Sequence, residues 1–241
     1  NIALTTYGEA LQNALTPVLK TLHQIPTQLQ QMTLEREKTI RLNVLAASTL
    51  VTQALISYKK DHDGLHFRLI QNSQCEDADI TVFTRENFQI PADTKERYEL
   101  FKERIFLAVP HNSPYASEES VRLQDFAHED FISLSGSRSI RTICDRYCMQ
   151  AGFVPHIIYE SDSPDTVKNL IASGLGVGFW PHYTWGMDSM EQIRLLPIAE
   201  PTCQRAIILQ LHRHARGQEA VCSFYAFLSR YLRQLKAAEQ H

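Results

Sequence analysis

The chain has 241 residues, of which 44% are apolar and 21% charged, enough to bury one large core or two smaller ones. A formal net charge of −3 offers no basic surface, which argues against this chain gripping nucleic acid by itself. No apolar run approaches the ~20 residues needed to cross a bilayer, no signal peptide opens the chain, and the five cysteines are odd in number and scattered, as suits a reducing cytoplasm better than a disulfide framework. The first residue is Asn1 rather than Met, so the chain reads as a fragment of something longer.

In chain order, residues 1–34 carry apolar positions at Leu4, Leu11, Leu15, Val18, Leu22, Ile25, Leu29 and Met32. After Leu11 the steps alternate four and three, a heptad seam. A helix of this length spans roughly 45 Å and is too narrowly striped to be a solitary surface helix. It reads as a dimerising helix, with packing along its own domain as the other possibility. Pro17 and Pro26 each remove a backbone donor, which predicts kinks or a break at Pro26.

Ile40, Leu42, Val44 and Leu45 read as a buried strand, followed by a helix from about Leu50 to Lys60 that Ser48 or Thr49 can cap. A turn at 61–64 leads to a second strand, His66–Gln71, and a third lies within Asp77–Thr84. Strand, helix, strand with buried strands predicts a right-handed parallel unit. Residues 98–114 read as two extended segments split at Lys102–Glu103. A short helix at 122–127, a strand and turn at 130–136, and a helix from Ser139 to Phe153 follow, the last with Ile140, Ile143, Tyr147 and Cys144 inward.

The stretch from Glu160 to Pro181 organises the rest. Ser163, Pro164 and Asp165 make a helix start, Val167, Leu170 and Ile171 one apolar face, Gly174 a left-handed stop, and Val177–Trp180 a short buried strand. The run GLGVG is not a dinucleotide fingerprint. That motif needs strand, glycines, then helix, whereas these glycines follow a helix and face its negative end. Strands at 191–198 and 205–213 and a final helix over 217–236 complete the chain, with Val221, Phe224, Leu228, Tyr231 and Leu235 on one face of that helix.

Two strand–helix alternations in series, with a closing strand and helix that can return to the first, predict two Rossmann-like α/β subdomains. They are joined by two crossovers, near Leu107–Pro110 and Cys203–Ile207. The predicted division is a linker helix over 1–36, subdomain I over 37–107 and 205–241, and subdomain II over 108–204. Ligands bind such folds between the lobes, where strand ends and helix starts converge.

Ser135, Gly136, Ser137 and Ser139 lie between a strand end and a helix start, where backbone N–H groups lack partners. There Arg138 or Arg141 can add a charge-assisted bond to a carboxylate or phosphate. Ser137 as a simple cap beside solvated arginines is the bland alternative. Ser48 and Thr49 start a helix on the opposite lobe, and Thr84 ends the third strand. Cys144 and Cys148 sit one helical turn apart and His212 and His214 share a strand face, but paired ligand spacing is absent, so no metal and no cofactor is expected. No nucleophile elbow, Walker loop, H-E-x-x-H helix or close carboxylate pair is present, so catalysis is not expected either.

The run Gly152, Phe153, Pro155, Glu160, then Leu170, Ile171, Ala172, Gly174, Leu175, Gly176, Val177 and Pro181, resembles the effector-binding domain of LysR-type transcriptional regulators. LTTYGEAL at the start looks like that family's linker helix, which would place the DNA-reading winged helix-turn-helix before Asn1. The resemblance implies a type 2 periplasmic-binding-protein-like fold, a cytoplasmic homodimer or tetramer, no membrane, and DNA contact only through the missing module. It implies a small-molecule effector between the lobes, anionic by the reading of Ser135–Ser139 above, with Ser48 and Thr49 on a loop that contacts effector and Asp162 and Trp180 flanking the cleft. Trp180 also reads as an ordinary core aromatic. One departure stands out: only residues 72–78 connect the second and third strands, where the family usually inserts a helix. The rival reading is a solute-binding protein of a transport system, which would want a secretion signal and no heptad helix.

Overall fold

The computed structural model describes residues 5–71, 73–136, 139–186 and 191–238, with backbone alone at 27, 30–35, 37 and 236–238. Leu4 and the side chain of Met32, both of the heptad seam, lie outside these described residues, as do Ser137 and Arg138.

Helix α1 runs unbroken over Thr6–Lys38, with Thr5 as its cap. Pro26 does not break it, contrary to the sequence expectation. Its surroundings explain why: residues around both prolines are exposed, so a carbonyl that loses its amide partner is left to water rather than buried. Leu11, Leu15, Val18, Leu22, Ile25 and Leu29 remain 41–60% exposed along it.

Strand β1 (Thr39–Val44), helix α2 (Ser48–Lys59), strand β2 (His66–Gln71) and strand β3 (Ile80–Arg85) build the first lobe. β1 is central and parallel to both neighbours. Strand β4 (Arg97–Pro110) is a single 14-residue strand, so the predicted split at Lys102–Glu103 does not occur. What changes there is the partner rather than the backbone, as the pairing below shows.

The second lobe adds strand β5 (Val121–Arg122), strand β6 (Asp130–Leu134), helix α3 (Ser139–Gln150), strand β7 (His156–Ser161) and helix α4 (Pro164–Ala172). It continues with strand β8 (Gly178–Pro181), the short helix α5 (His182–Trp185) and strand β9 (Ile193–Glu200). Strand β10 (Gln204–Leu211) and helix α6 (Glu219–Ala238) return to the first lobe. The main sheet runs β2-β1-β3-β10-β4-β9-β5, with β8 also on β4, and β6 pairs β7.

One sheet thus serves both lobes. Arg97–Arg104 of β4 pair antiparallel with β10, whereas Ile105–Pro110 pair with β8 and β9. The buried residues nevertheless fall into two clusters. Ile40, Leu42, Phe101, Ile207 and Leu209 pack with Phe224, Tyr225 and Leu228 of α6 in one, and Ile105, Leu107, Phe131, Ile171, Trp180 and Cys203 lie in the other. The chain therefore passes between cores twice, between Phe101 and Ile105 and again between Cys203 and Ile207.

The glycine-rich turn after α4 is built for close approach. Gly174 has φ +78°, the left-handed stop read from the sequence. A Cβ on Gly176 would meet the Asp130 carbonyl oxygen at 2.6 Å, because Val177 bonds there to β6: its amide donates to Asp130 O at 2.9 Å and its carbonyl accepts from the Ile132 amide at 2.8 Å.

Candidate functional site

Three helices begin at one cavity between the lobes. α2 starts there with Ala47 and Ser48 from the first lobe, while α3 with Ser139 and Ile140 and α4 with Pro164 come from the second. Each helix start presents amides that the helix itself cannot bond and the positive end of its dipole. The cavity is small, about 70 Å³, and a larger polar hollow of about 620 Å³ shares Leu45 with it. Ser139 lines both.

Neither Ser48 nor Thr49 caps α2, which departs from expectation. The cap position is Ala47, in the left-handed conformation with φ 58° and ψ 35°, and no side chain accepts from the first turn. That backbone turn already places Ser48 inside the helix. A non-glycine residue held there costs about 1–2 kcal/mol, a strain that tends to collect at functional loops. Among the described residues no side chain caps the first turn of α2.

The predicted residues come together unequally. Ser48, Thr84 and Ser139 line the cavity, and Asp162 lines the adjoining hollow. The Thr84 hydroxyl donates to the Ala206 carbonyl at 2.8 Å, so it faces the cavity as an acceptor. Thr49, Ser135 and Gly136 lie outside that lining; the Ser135 amide donates to Ser161 O at 2.9 Å, extending the β6–β7 ladder. Arg141 is held by carboxylates, with Nε 2.8 and 2.7 Å from the two Asp145 oxygens and Nη1 on Glu160.

Trp180 is buried behind the wall. Its Nε1 donates to Gly186 O at 2.8 Å, and its ring meets Trp185 edge-on at 5.3 Å. Trp185 forms part of the cavity wall. The Lys168 ammonium lies 5.4 Å from the Trp180 ring and 5.8 Å from the Trp185 ring, a cation–π clamp that fixes the aromatic wall.

Sequence reasoning missed Glu103, Thr184, Trp185 and Arg205. Arg205 lines the cavity while paired with Glu103 at 2.6 Å, both fully or nearly fully buried. A signal for this pair did exist: each is a charged residue set inside a strongly apolar strand run, KERIFLAV and QRAIILQL. Thr184 and Trp185 carried none, because α5 is too short to show a period.

The cysteines and histidines do not assemble. Burial pushes the Cys144 thiol well above its ordinary value and Cys148 and Cys203 up to about 12, so these thiols stay protonated and poorly nucleophilic. His212 and His214 stack at 5.8 Å in the other lobe. Among the described residues no group of three or more His, Cys, Asp or Glu side chains is arranged to hold a metal.

Two α/β lobes, crossed twice by the chain and enclosing a cavity at three helix starts, define a two-lobed ligand-binding fold. The LysR substrate binding domain family matches residues 34–233, and the chain belongs to that family. It is 23% identical over 248 aligned residues to the transcriptional dual regulator GltC of Bacillus subtilis (strain 168), covering 98% of this chain and 81% of that protein. Among solved structures, the effector binding domain of QuiR in complex with shikimate has a TM-score of 0.65 at 18% identity, covering 81% of this chain and 97% of that one. The Synechocystis PCC6803 CcmR regulatory domain in complex with 2-PG gives 0.68 at 15% identity, covering 79% and 95%. The chain is thus the effector-binding part of a LysR-type regulator, with all but the end of α1 preceding the matched domain, and no helix among the described residues is long and apolar enough to cross a membrane.

Proposed function

We propose that the chain senses a small anionic metabolite in the interlobe cavity and transmits its binding to a DNA-reading module carried before α1. The convergence of α2, α3 and α4 starts on one cavity carries this reading, since backbone amides and helix dipoles there favour negative charge. The effector binding domain of QuiR in complex with shikimate and the CcmR regulatory domain in complex with 2-PG have the same fold. Ser48, Thr84 and Ser139 contact the effector, joined by Thr49, Ser135, Gly136, Ser137, Arg138 and Asp162 as the lobes close, with Trp180 behind them.

In this scheme residues 1–36 form the linker helix, 37–107 with 205–241 one regulatory lobe and 108–204 the other. An effector that binds one interlobe arrangement better than another shifts the population between them. A coupling of about 1–3 kcal/mol changes affinity for a second partner about 5–150-fold. Two α1 helices, paired through their exposed leucines, carry that shift to DNA in a cytoplasmic dimer or tetramer with no catalysis of its own.

A thermal-shift screen of the chain against small carboxylates and phosphate esters tests the reading. At least one acid should raise the melting temperature, and Ser139→Trp, which fills the cavity, should abolish that rise. An unchanged rise in the variant would place the ligand elsewhere.

A further inference from the structure

The charge balance of the cavity wall points to the class of acid it takes; this inference rests on the proposed reading of the cavity as the effector site. Arg205 on β10 and Glu103 on β4 are register partners where both passages between the lobes cross. Glu103 is 0% and Arg205 3% exposed. Arg205 Nε donates to Glu103 Oε2 at 2.6 Å and its Nη2 to Thr184 Oγ1 at 2.8 Å. The Thr184 hydroxyl donates to Glu103 Oε2 at 3.0 Å and its amide to Oε1 at 2.6 Å, closing the ring. Among the described residues nothing accepts from Arg205 Nη1, and this arginine lines the cavity.

A buried ion pair is a weak source of stability, because desolvation offsets most of its attraction and apolar residues of similar volume often do as well. Here the pair does something apolar residues cannot. Arg205 lines the cavity with Nη1 outside its hydrogen-bonded ring, while Glu103 neutralises the charge. Among the described residues of the lining Arg205 is the one cationic side chain, so the positive potential that remains there comes from the three helix starts, each about half an elementary charge and weakened by solvent at the cleft mouth. That sum matches one negative charge. A second would need a further positive charge, and that of Arg205 is already held by Glu103. The rest of the wall is largely apolar, with Leu134, Ile140 and Trp185 beside the hydroxyls.

We propose that Glu103 is a specificity-determining residue that tunes the cleft to monoanions: a monocarboxylate whose acid group takes the Arg205 Nη1 bond and whose apolar body packs on Trp185. Phosphate monoesters and dicarboxylates are the class it excludes.

Calorimetric titration of the whole chain with matched pairs, such as benzoate with phthalate and acetate with methyl phosphate, tests this. The wild-type chain should bind the monoanion of a pair more tightly, and Glu103→Gln should move the preference towards the dianion at least tenfold. A wild-type preference for dianions, or a ratio unchanged in Glu103→Gln, overturns the proposal while leaving the effector site standing. Failure of every probe to bind the wild type overturns the effector reading itself. Should Glu103→Gln not fold, the double variant R205M/E103L replaces both charges with apolar groups of similar volume. It should fold and lose monoanion affinity at least tenfold; retained affinity overturns the proposal.

Discussion

Arg36, in the last turn of α1, donates through both terminal nitrogens to the two carboxylate oxygens of Asp79, just before β3. Asp79 is fully buried and also accepts from the Arg41 amide at 2.8 Å, while Arg36 reaches Gln218 at 3.0 Å. The long helix is therefore latched to the first lobe at its exit. Asp79→Ala leaves the Arg41 amide and the arginine without their acceptor. With Arg36 partly open to water, the expected loss is about 2–3 kcal/mol, read as a lower urea midpoint. Faster hydrogen exchange in the last turn of α1 should accompany it.

The exposed seam of α1 predicts association. Leu15 and Leu22 stand one heptad apart on it, and both are about half exposed. Replacing both with Asp should convert a dimer of the chain to monomer in sedimentation velocity, with the lobes still folded. An unchanged sedimentation coefficient would mean that this stripe does not join the copies.

The two glycines of the turn after α4 should respond differently to alanine. At Gly174 the cost is that of a left-handed alanine, about 1 kcal/mol, since nothing lies within 4 Å of its would-be Cβ. At Gly176 the new methyl meets a backbone oxygen at 2.6 Å that belongs to a paired strand and cannot yield alone. Gly176→Ala should therefore cost more, about 2–3 kcal/mol in urea unfolding.

His212 confers a pH dependence with a defined sign. Its Nε2 lies 2.8 Å from the Thr81 hydroxyl, with Glu96, Asp79 and His214 as its charged neighbours. Burial lowers its pKa below the ordinary 6.5, against the pull of Glu96. The unfolded chain then binds more protons just below that value. The stability tied to this group is complete above pH 6.5 and is lost as pH falls through the folded-state value. His212→Gln should flatten that part of the stability–pH curve, and Glu96→Gln should steepen it, both read from urea midpoints.

Much of the fold was legible in sequence because each element obeyed its local period. Val221, Phe224 and Leu228 do form the buried face of α6, and Gly174 does terminate α4. β4 was misread because Lys102 and Glu103 look like a break in an apolar run. In space both still pair with β10, and the one continuous strand trades β10 for β8 and β9 just after them, between Arg104 and Ile105. The Ala47 turn was invisible for the opposite reason: nothing in an alanine announces a left-handed backbone, whereas Ser48 and Thr49 beside it carried the usual capping signature. Nor could a one-dimensional reading pair Glu103 with Arg205, which lie 102 residues apart.

The unbroken β4 limits how the lobes can move. A hydrogen-bonded ladder runs from one lobe into the other along a shared strand, and β10 pairs with it up to the crossing point. Any rearrangement of one lobe against the other has to pass through this shared strand and the two crossings of the chain beside it, between Phe101 and Ile105 and between Cys203 and Ile207.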